Sequence, residues 1–450
     1  MATLSQEEYE SLTQDQRSFH TPRAPSTDSS GPSESGKSGV ISNFVSVYKR
    51  VSWSSQKTIE MSVASSDENS VTFMATPTMN YMIHSYITQL LPRVQVKNEY
   101  KGRVRIAWPH NVGNNILPFA EFTVNLQRMD KVWLDMHGQF YSPPGFSKSH
   151  SEAIGNVQLL EGWQNILPET SLYINIPWFY SYNLTASFPL FLLSSQTKIC
   201  QTYTRVSDIL RLLRMIVHTQ SGWREIIPDS DFITFNTMRL PQNWCKYSLI
   251  TSEERKYSRS CEQRKIFYIR DIISCSSKTN ASSGDKVSIP LDCKLPCLAL
   301  FWAAENITTS RLNNHSNYTT SKISVYYGSS PIKSVSLLYG SDKTVFKNMS
   351  NGHFFYMEPR YRMQSAPRDK GYGCWSNAYQ SHVEPADTTI VYHKHAASIE
   401  FVIDDSDIFK VGTPIKSDIE MKSTSSGKDE PSRSGSQYIV HVRMMVYRTL

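Results

Sequence analysis

Hydrophobic and polar positions alternate along much of this chain with the two-residue period of half-buried strands. Between residues 104 and 140 (VRIAWPHNVGNNILPFAEFTVNLQRMDKVWLDMHGQF), Phe122, Val124 and Leu126 alternate with Glu121, Thr123 and Asn125. That predicts a strand over 119–126 with the three apolar side chains on its buried face. Strand-like sequence starts at 44 (FVSVYKRVSW) and recurs at 71–75, 104–108, 171–178 and 198–205, with turn clusters such as Pro143-Pro144-Gly145 between the strands. One segment departs from the pattern. From Ser207 onward, Ile209, Leu210, Leu213 and Val217 recur at helical spacing while Arg211 and Arg214 take the other side, which predicts a single inserted amphipathic helix.

After NWCKYSLITS, the charged stretch at 253–259 (EERKYSR) separates this set of strands from a second. The second set is predicted at 266–273, 286–290, 297–303, 323–327, 335–339, 354–357, 373–378, 399–403 and 438–447. In the last of these, Val440, Val442, Met444 and Val446 alternate with His441, Arg443, Met445 and Tyr447, as on a sheet with one side fully buried. A low-complexity stretch, KSTSSGKDEPSRSGS at 422–436, reads as an exposed loop. The first 42 residues are rich in Ser, Pro, Gly and charge and read as a flexible arm. The expected organisation is therefore an arm (1–42), a first strand set (43–252), a linker (253–261) and a second strand set (262–450). Two successive sets of short strands joined by long loops predict an all-β chain of two tandem antiparallel sandwiches. Jelly rolls are the commonest way to fold so many strands without exposed edges, although the pattern leaves the topology open.

Composition supports packed sheets: aromatic residues make up 12% and charged residues 19% of 450 positions, which excludes disorder throughout. The net charge of +7 is spread along the chain without a basic run, so no dedicated nucleic-acid tail is expected. The start, MATLSQEEYESL, has no basic, apolar and small-residue signal pattern, and secretion is not expected. The longest apolar runs, 188–193 and 295–304, fall short of the roughly 20 residues of a membrane helix, so a soluble chain is expected. Seven scattered cysteines (Cys200, Cys245, Cys261, Cys275, Cys293, Cys297 and Cys374) are read as reduced thiols. Sequons at Asn183, Asn280, Asn306, Asn314, Asn317 and Asn348 are read as chance matches.

Candidate chemistry is sparse. Cys293 and Cys297 with His393 and His395 could be assembled into a zinc site, but the cysteines sit beside an apolar strand and the histidine alternation suits an exposed strand face. Asp404, Asp405 and Asp407 lack the glycine and distal glutamate of a calcium loop and read as a solvated strand end. Trp108, Trp133, Trp163, Trp178 and Trp302 stand singly in strand or corner contexts, which favours packing over base stacking. Arg211 and Arg214 are read as the wet face of the predicted helix. No Gly-x-Ser-x-Gly elbow and no phosphate-binding glycine loop occurs, so no catalytic residue, cofactor or metal is expected.

Several segments taken together resemble the major capsid proteins of large eukaryotic double-stranded DNA viruses, most closely the iridovirus and asfarvirus type. They are, in order, VYKRVSW at 47–53, 104–108, 114–117, Trp133-Leu134-Asp135-Met136 with Phe140, and LYINIPWFYSYNLTASFPLFLLSSQTKI at 172–199. YIRDIISC at 268–275, LALFWAAENIT at 298–308, PIKSVSLLYGSDKTVF at 331–346, FFYMEPRYRM at 354–363 and the run 371–401 follow in the same order. The chain departs from the family at Glu384-Pro385-Ala386-Asp387, where many members carry a His-Pro-Ser-Gly type sequence, and it closes on VYRTL without a glycine-rich tail. The resemblance implies a double jelly roll that forms homotrimers with a pseudo-hexagonal outline and tiles an icosahedral shell in the virion, assembled in the host cytoplasm. It implies partners in neighbouring capsomers, minor capsid proteins and an internal membrane layer, and no sequence-specific nucleic-acid binding. The loops 141–169, 306–321 and 422–436 would then form the outer crown or subunit contacts. The rival readings are a minor or spike-like jelly-roll capsid protein and, from another class, a sugar-binding or hydrolytic β-sandwich.

Overall fold

The computed structural model describes residues 55–75, 80–141, 148–181, 187–220, 222–253, 255–256, 269–321, 324–340, 343–363, 365–379, 389–404 and 436–448. All belong to one unit, 54–450. The predicted arm, the strand-like start at 44 and the loop at 422–435 lie outside the described residues.

Strands are numbered here in chain order. One sheet runs β1 (Gln56–Glu60), β16 (Gln242–Leu249), β4 (Asn80–Leu91), β10 (Thr170–Ile176), with the short β11 (Phe188–Pro189) also on β4. The facing sheet runs β2 (Ser62–Ser66), β3 (Ser70–Ala75), β12 (Ile199–Thr204), β7 (Phe119–Val124), β8 (Gln127–Trp133). Beside them lie two three-stranded sheets, β14 (Gly222–Ile226), β13 (Arg214–Thr219), β6 (Val104–Ala107) and β15 (Ile233–Phe235), β5 (Val94–Val96), β9 (Ile166–Leu167). In the second half, one sheet runs β17 (Ile269–Ser276), β24 (Tyr438–Arg448), β19 (Cys297–Asn306), β22 (Tyr372–Ser376). The other runs β18 (Lys286–Pro290), β23 (Ala397–Ile403), β20 (Ile332–Tyr339), β21 (Lys343–Ser350).

The winding is the same in both halves. If β1, β3, β4, β7, β8, β10, β12 and β16 are taken as the main strands of the first half and β17–β24 as those of the second, each half has one sheet in the order first-eighth-third-sixth and one in the order second-seventh-fourth-fifth. Every strand pairing is antiparallel. That order is a jelly roll, and the chain is a double jelly roll.

Each half has its own core. In the first, Phe122 from one sheet meets the rings of Trp178, Phe179, Tyr180 and Phe188 at centroid distances of 5.4–5.7 Å. In the second, Leu300, Trp302 and Ala304 of β19 face Val335, Leu337, Ile399 and Phe401. Burial of each large apolar side chain contributes about 1.5–3 kcal/mol. Opposite Trp302 in the register stands Gly373, where a Cβ would lie 2.2 Å from the indole Nε1, so only glycine lets β22 approach.

Several expected elements are corrected. The helix expected from Ser207 is a single 3-10 turn, Ile209–Arg211, capped by Asp208, and the chain then extends as β13, which pairs with both β6 and β14. Ile216 and Val217 are β-branched and the hairpin closes at Gly222 (φ 109°), so local strand preference overrides the helical spacing. The strand expected at 354–357 is a π-helical turn, His353–Met357, that runs into a helix, Glu358–Arg362. Phe354 and Phe355 are buried while Tyr356 and Met357 are exposed, a grouping that a strand could not give. The strand expected at 323–327 is a turn closed by the Tyr327 amide on the Ser324 carbonyl, with Ile323 outside the described residues. Leu126, expected on a buried face, is 92% exposed at the β7–β8 turn.

Candidate functional site

A third cluster of apolar side chains joins the halves. Because β19 is flanked on both sides in its sheet and packed on both faces, its sequence is apolar almost throughout. The alternate set, Ala299, Phe301 and Ala303, points away from the second core and meets Trp133, Met136, Phe140 and Tyr141 of the first half. The helix Leu134–Tyr141 is buried at every residue here, and the guanidinium of Arg443 lies 4.5 Å from the ring of Trp133. The last strand is accordingly buried on one face over its first half and on both faces from Met444 to Tyr447.

Charge stitches the same seam. Arg270 of β17 meets Asp130 of β8 at 2.5 Å with both side chains buried, and Arg128 of β8 meets Asp271 of β17 at 2.7 Å. Each strand therefore supplies one cation and one anion to the other. Asp130 also accepts the Phe179 amide at 2.8 Å. Burial pushes the Asp130 carboxyl upward against the pull of Arg270 and the backbone amides.

A buried polar network crosses the seam further along. His110 lies between Glu161 (2.6 Å) and Asp369 (3.0 Å), and Asp369 accepts from Asn111 (2.9 Å) and Gln139 (2.7 Å). Burial alone would lower the imidazole, but the two carboxylates outweigh it and hold it up at about 10. Burial alone would raise Asp369, yet His110 and the amide donors hold it at about 2. Close by, Asp135 accepts from Tyr372 (2.8 Å) and Ser316 (3.3 Å). Burial, aided by the charge of Asp369, pushes Asp135 up to about 6 despite the Tyr372 hydroxyl.

The loop 306–321, expected at the outer crown or in subunit contacts, also packs against this seam. Asn313 donates to the carbonyls of Leu210 (2.6 Å) and Leu213 (2.8 Å), and Ser316 donates to Asn115 (2.8 Å). Asn313 is thus read by the first half, while Asn317 donates to the Ser321 carbonyl within the loop (2.7 Å). Asn306, Asn314 and Asn317 are buried, so three of the sequons carry side chains committed to the fold. Asn306 caps the helix Ile307–Arg311 by accepting from Thr308 and Thr309. Asn280 and Asn348 are exposed, and Asn183 lies outside the described residues.

The remaining candidates disperse into structural roles. Cys293 and Cys297 are buried, their thiols directed at the carbonyls of Leu295 and Ala299. His393 and His395 lie in a 3-10 turn, Tyr392–His395, rather than on a strand face. His393 pairs with Asp292 at 2.5 Å and His395 stacks on Tyr339. Cys261 lies outside the described residues and the other six cysteines are free thiols. Among the described residues no group of three or more His, Cys, Asp or Glu side chains is placed to hold a metal ion. Asp404 pairs with Lys333 at 2.7 Å, while Asp405 and Asp407 lie outside the described residues. Trp108, Trp178 and Trp302 fill cores, Trp133 fills the seam, and Trp163 is half-buried beneath Arg214. Arg214, expected on a wet face, is buried in an ion pair with Glu225 at 2.7 Å, and Arg211 is exposed. The described residues thus form two boxes joined by a buried seam.

No protein-family model matches the chain. The major capsid protein of Invertebrate iridescent virus 3 is 20% identical over 363 residues, covering 75% of this chain and 77% of that protein. Among solved structures, the PBCV-1 virus capsid superposes with a TM-score of 0.59 at 13% identity, over 88% of this chain and 94% of that chain. The Faustovirus major capsid protein superposes with a TM-score of 0.59 at 7% identity, over 89% and 91%. The fold is therefore the double jelly roll found in major capsid proteins of large DNA viruses, and the resemblance seen along the sequence to the iridovirus type holds over most of the chain.

Proposed function

We infer that this chain is a major capsid protein: a structural subunit of the virion of a large double-stranded DNA virus. The observation that carries the reading is the repetition of one winding in two halves fused by a buried, charged seam, together with a collinear likeness to the iridovirus major capsid protein. A seam of that kind makes two barrels one rigid block, which is what a shell tile requires. Three copies form a ring of six barrels with a pseudo-hexagonal outline, and the rings pack side by side into an icosahedral shell. The division into arm (1–42), first barrel (43–252), linker (253–261) and second barrel (262–450) belongs to this reading. So do contacts with minor capsid proteins and an internal membrane layer, assembly in the host cytoplasm, the absence of catalytic activity and the absence of sequence-specific nucleic-acid binding.

Purified full-length chain is expected to sediment as a particle of three 51.4 kDa copies at micromolar concentration. A single species at the mass of one copy across that range would contradict the trimer.

A further inference from the structure

The β6–β13–β14 sheet carries two arginine–tryptophan stacks, and only one of them has its carboxylate. In the register, Ile216 of β13 stands opposite Arg105 of β6 on one side and Glu225 of β14 on the other, so Arg105, Arg214, Ile216, His218, Trp223 and Glu225 share one face. Met215 and Val217, on the opposite face, pack into the first core. Arg214 lies 5.0 Å over the ring of Trp163 and grips Glu225 with both arms of its fork, Nε at 2.7 Å and Nη2 at 3.2 Å. On the neighbouring strand, Arg105 lies 4.6 Å over the ring of Trp223, which is itself packed edge-on with His218 at 5.1 Å. The Arg105 guanidinium has no ion pair or hydrogen bond among the described residues.

An arginine laid flat on an indole has already given up part of its water and its rotamer freedom, so pairing with it costs less ordering than pairing with a free surface arginine. The Arg214 stack shows what completes such an arrangement in this sheet, namely one carboxylate held by the fork. Charge around Arg105 agrees. Lys101 and Arg103, exposed on the turn leading into β6, outnumber the exposed Glu99 of that turn. The row Arg105, Ile216, Glu225 runs cation, apolar, anion, so a nucleic acid or sulfated polysaccharide laid along it meets Glu225 about 10 Å on. A polypeptide with an isolated acid among apolar side chains suits the row better.

We propose that Arg105, braced by Trp223, receives an aspartate or glutamate side chain of a partner polypeptide. The incoming carboxylate takes both arms of the fork, as Glu225 does at Arg214.

The test probes the full-length chain on an array of synthetic peptides that carry one Asp or Glu among apolar and neutral residues, with their Asn and Gln counterparts, heparin and duplex DNA on the same surface. Wild type is expected to be retained by a subset of the acidic peptides and not by their amide counterparts. Arg105→Lys, which keeps the charge and gives up the fork, is expected to weaken that retention about tenfold. Arg360→Lys, at an exposed arginine of the second half, is expected to leave it unchanged. Trp223→Phe, which loosens the stack without altering charge, is expected to weaken retention by a smaller factor and decides the matter if thermal unfolding shows Arg105→Lys to be poorly folded. Retention that Arg105→Lys leaves intact, or retention on heparin or DNA above that on every peptide, would assign the binding to net charge and overturn the proposal. Wild type that ignores the acidic peptides altogether would overturn it too.

Discussion

Replacing Arg270 by alanine is expected to cost the folded chain about 3–5 kcal/mol, because it leaves the Asp130 carboxyl buried without its cation. Both partners are almost fully enclosed at the join of β8 and β17, 140 residues apart in the chain, and water cannot reach in to take over. Chemical denaturation of wild type and variant checks the figure. The neighbouring pair, Arg128 with Asp271, provides the contrast: Arg128 is about a quarter exposed, so Arg128→Ala is expected to cost less. The double change Arg270→Met with Asp130→Leu is expected to recover most of the loss, since a matched apolar pair of similar volume leaves no stranded charge. Recovery stays incomplete because the Phe179 amide loses its acceptor. A small effect of Arg270→Ala would mean that the Arg270–Asp130 pair does not hold the two barrels together.

Replacing Asp135 by asparagine is expected to stabilise the chain near pH 7.5 by about 2 kcal/mol and to flatten its pH dependence in mild acid. The sign follows from the direction of its shift. Its carboxyl is raised from 3.8 to about 6 by burial beside Asp369, so in that window the native state binds the proton more tightly than the unfolded chain does. Stability therefore falls as pH rises from about 4 to about 6 and stays lower above it, a span worth about 3 kcal/mol at 1.36 kcal/mol per pH unit. Asparagine is neutral at every pH and removes this contribution, though it gives up part of the charge-assisted bonding from Tyr372 and Ser316. The groups facing Asp135 are Asp369, held ionised at about 2, and His110, held protonated at about 10, so neither changes charge in the window. The measurement is the difference in unfolding free energy between variant and wild type at several pH values from 4 to 8. A difference independent of pH would show that Asp135 does not titrate there.

Much of the fold was legible because alternation survives wherever a strand has one wet face. β10 shows it, with Leu172, Ile174 and Ile176 inward and Tyr173 outward, and so do β12, β23 and the first half of β24. Alternation failed where polar side chains point inward. β4, the longest strand of the first half, escapes notice because Ser85 and Gln89 occupy core positions between Ile83, Ile87 and Leu91. They are tolerated because partners exist only in three dimensions: Ser85 with the Tyr180 hydroxyl (2.9 Å), and Gln201 with Ser85 (3.1 Å), Tyr203 (2.7 Å) and Asn243 (2.8 Å). β21 was missed for the opposite reason, since Phe346 is its one buried residue.

The seam was the least legible part. Asp135 and Tyr372 stand 237 residues apart and Asn111 and Asp369 258 apart, and no local pattern marks residues that meet across such spans. The apolar run of β19 did hint at it, because ten residues without a wet face require packing on both sides. Leu126 misled for a related reason. Its place in the alternation is that of a core residue, and only the turn geometry turns it out to solvent.

Electron microscopy of the purified chain tests the capsid reading most directly. The expected image is a particle of three copies with threefold symmetry and a six-sided outline, one corner for each barrel. Monodisperse two-lobed single copies, under conditions where the protein is folded, would contradict it.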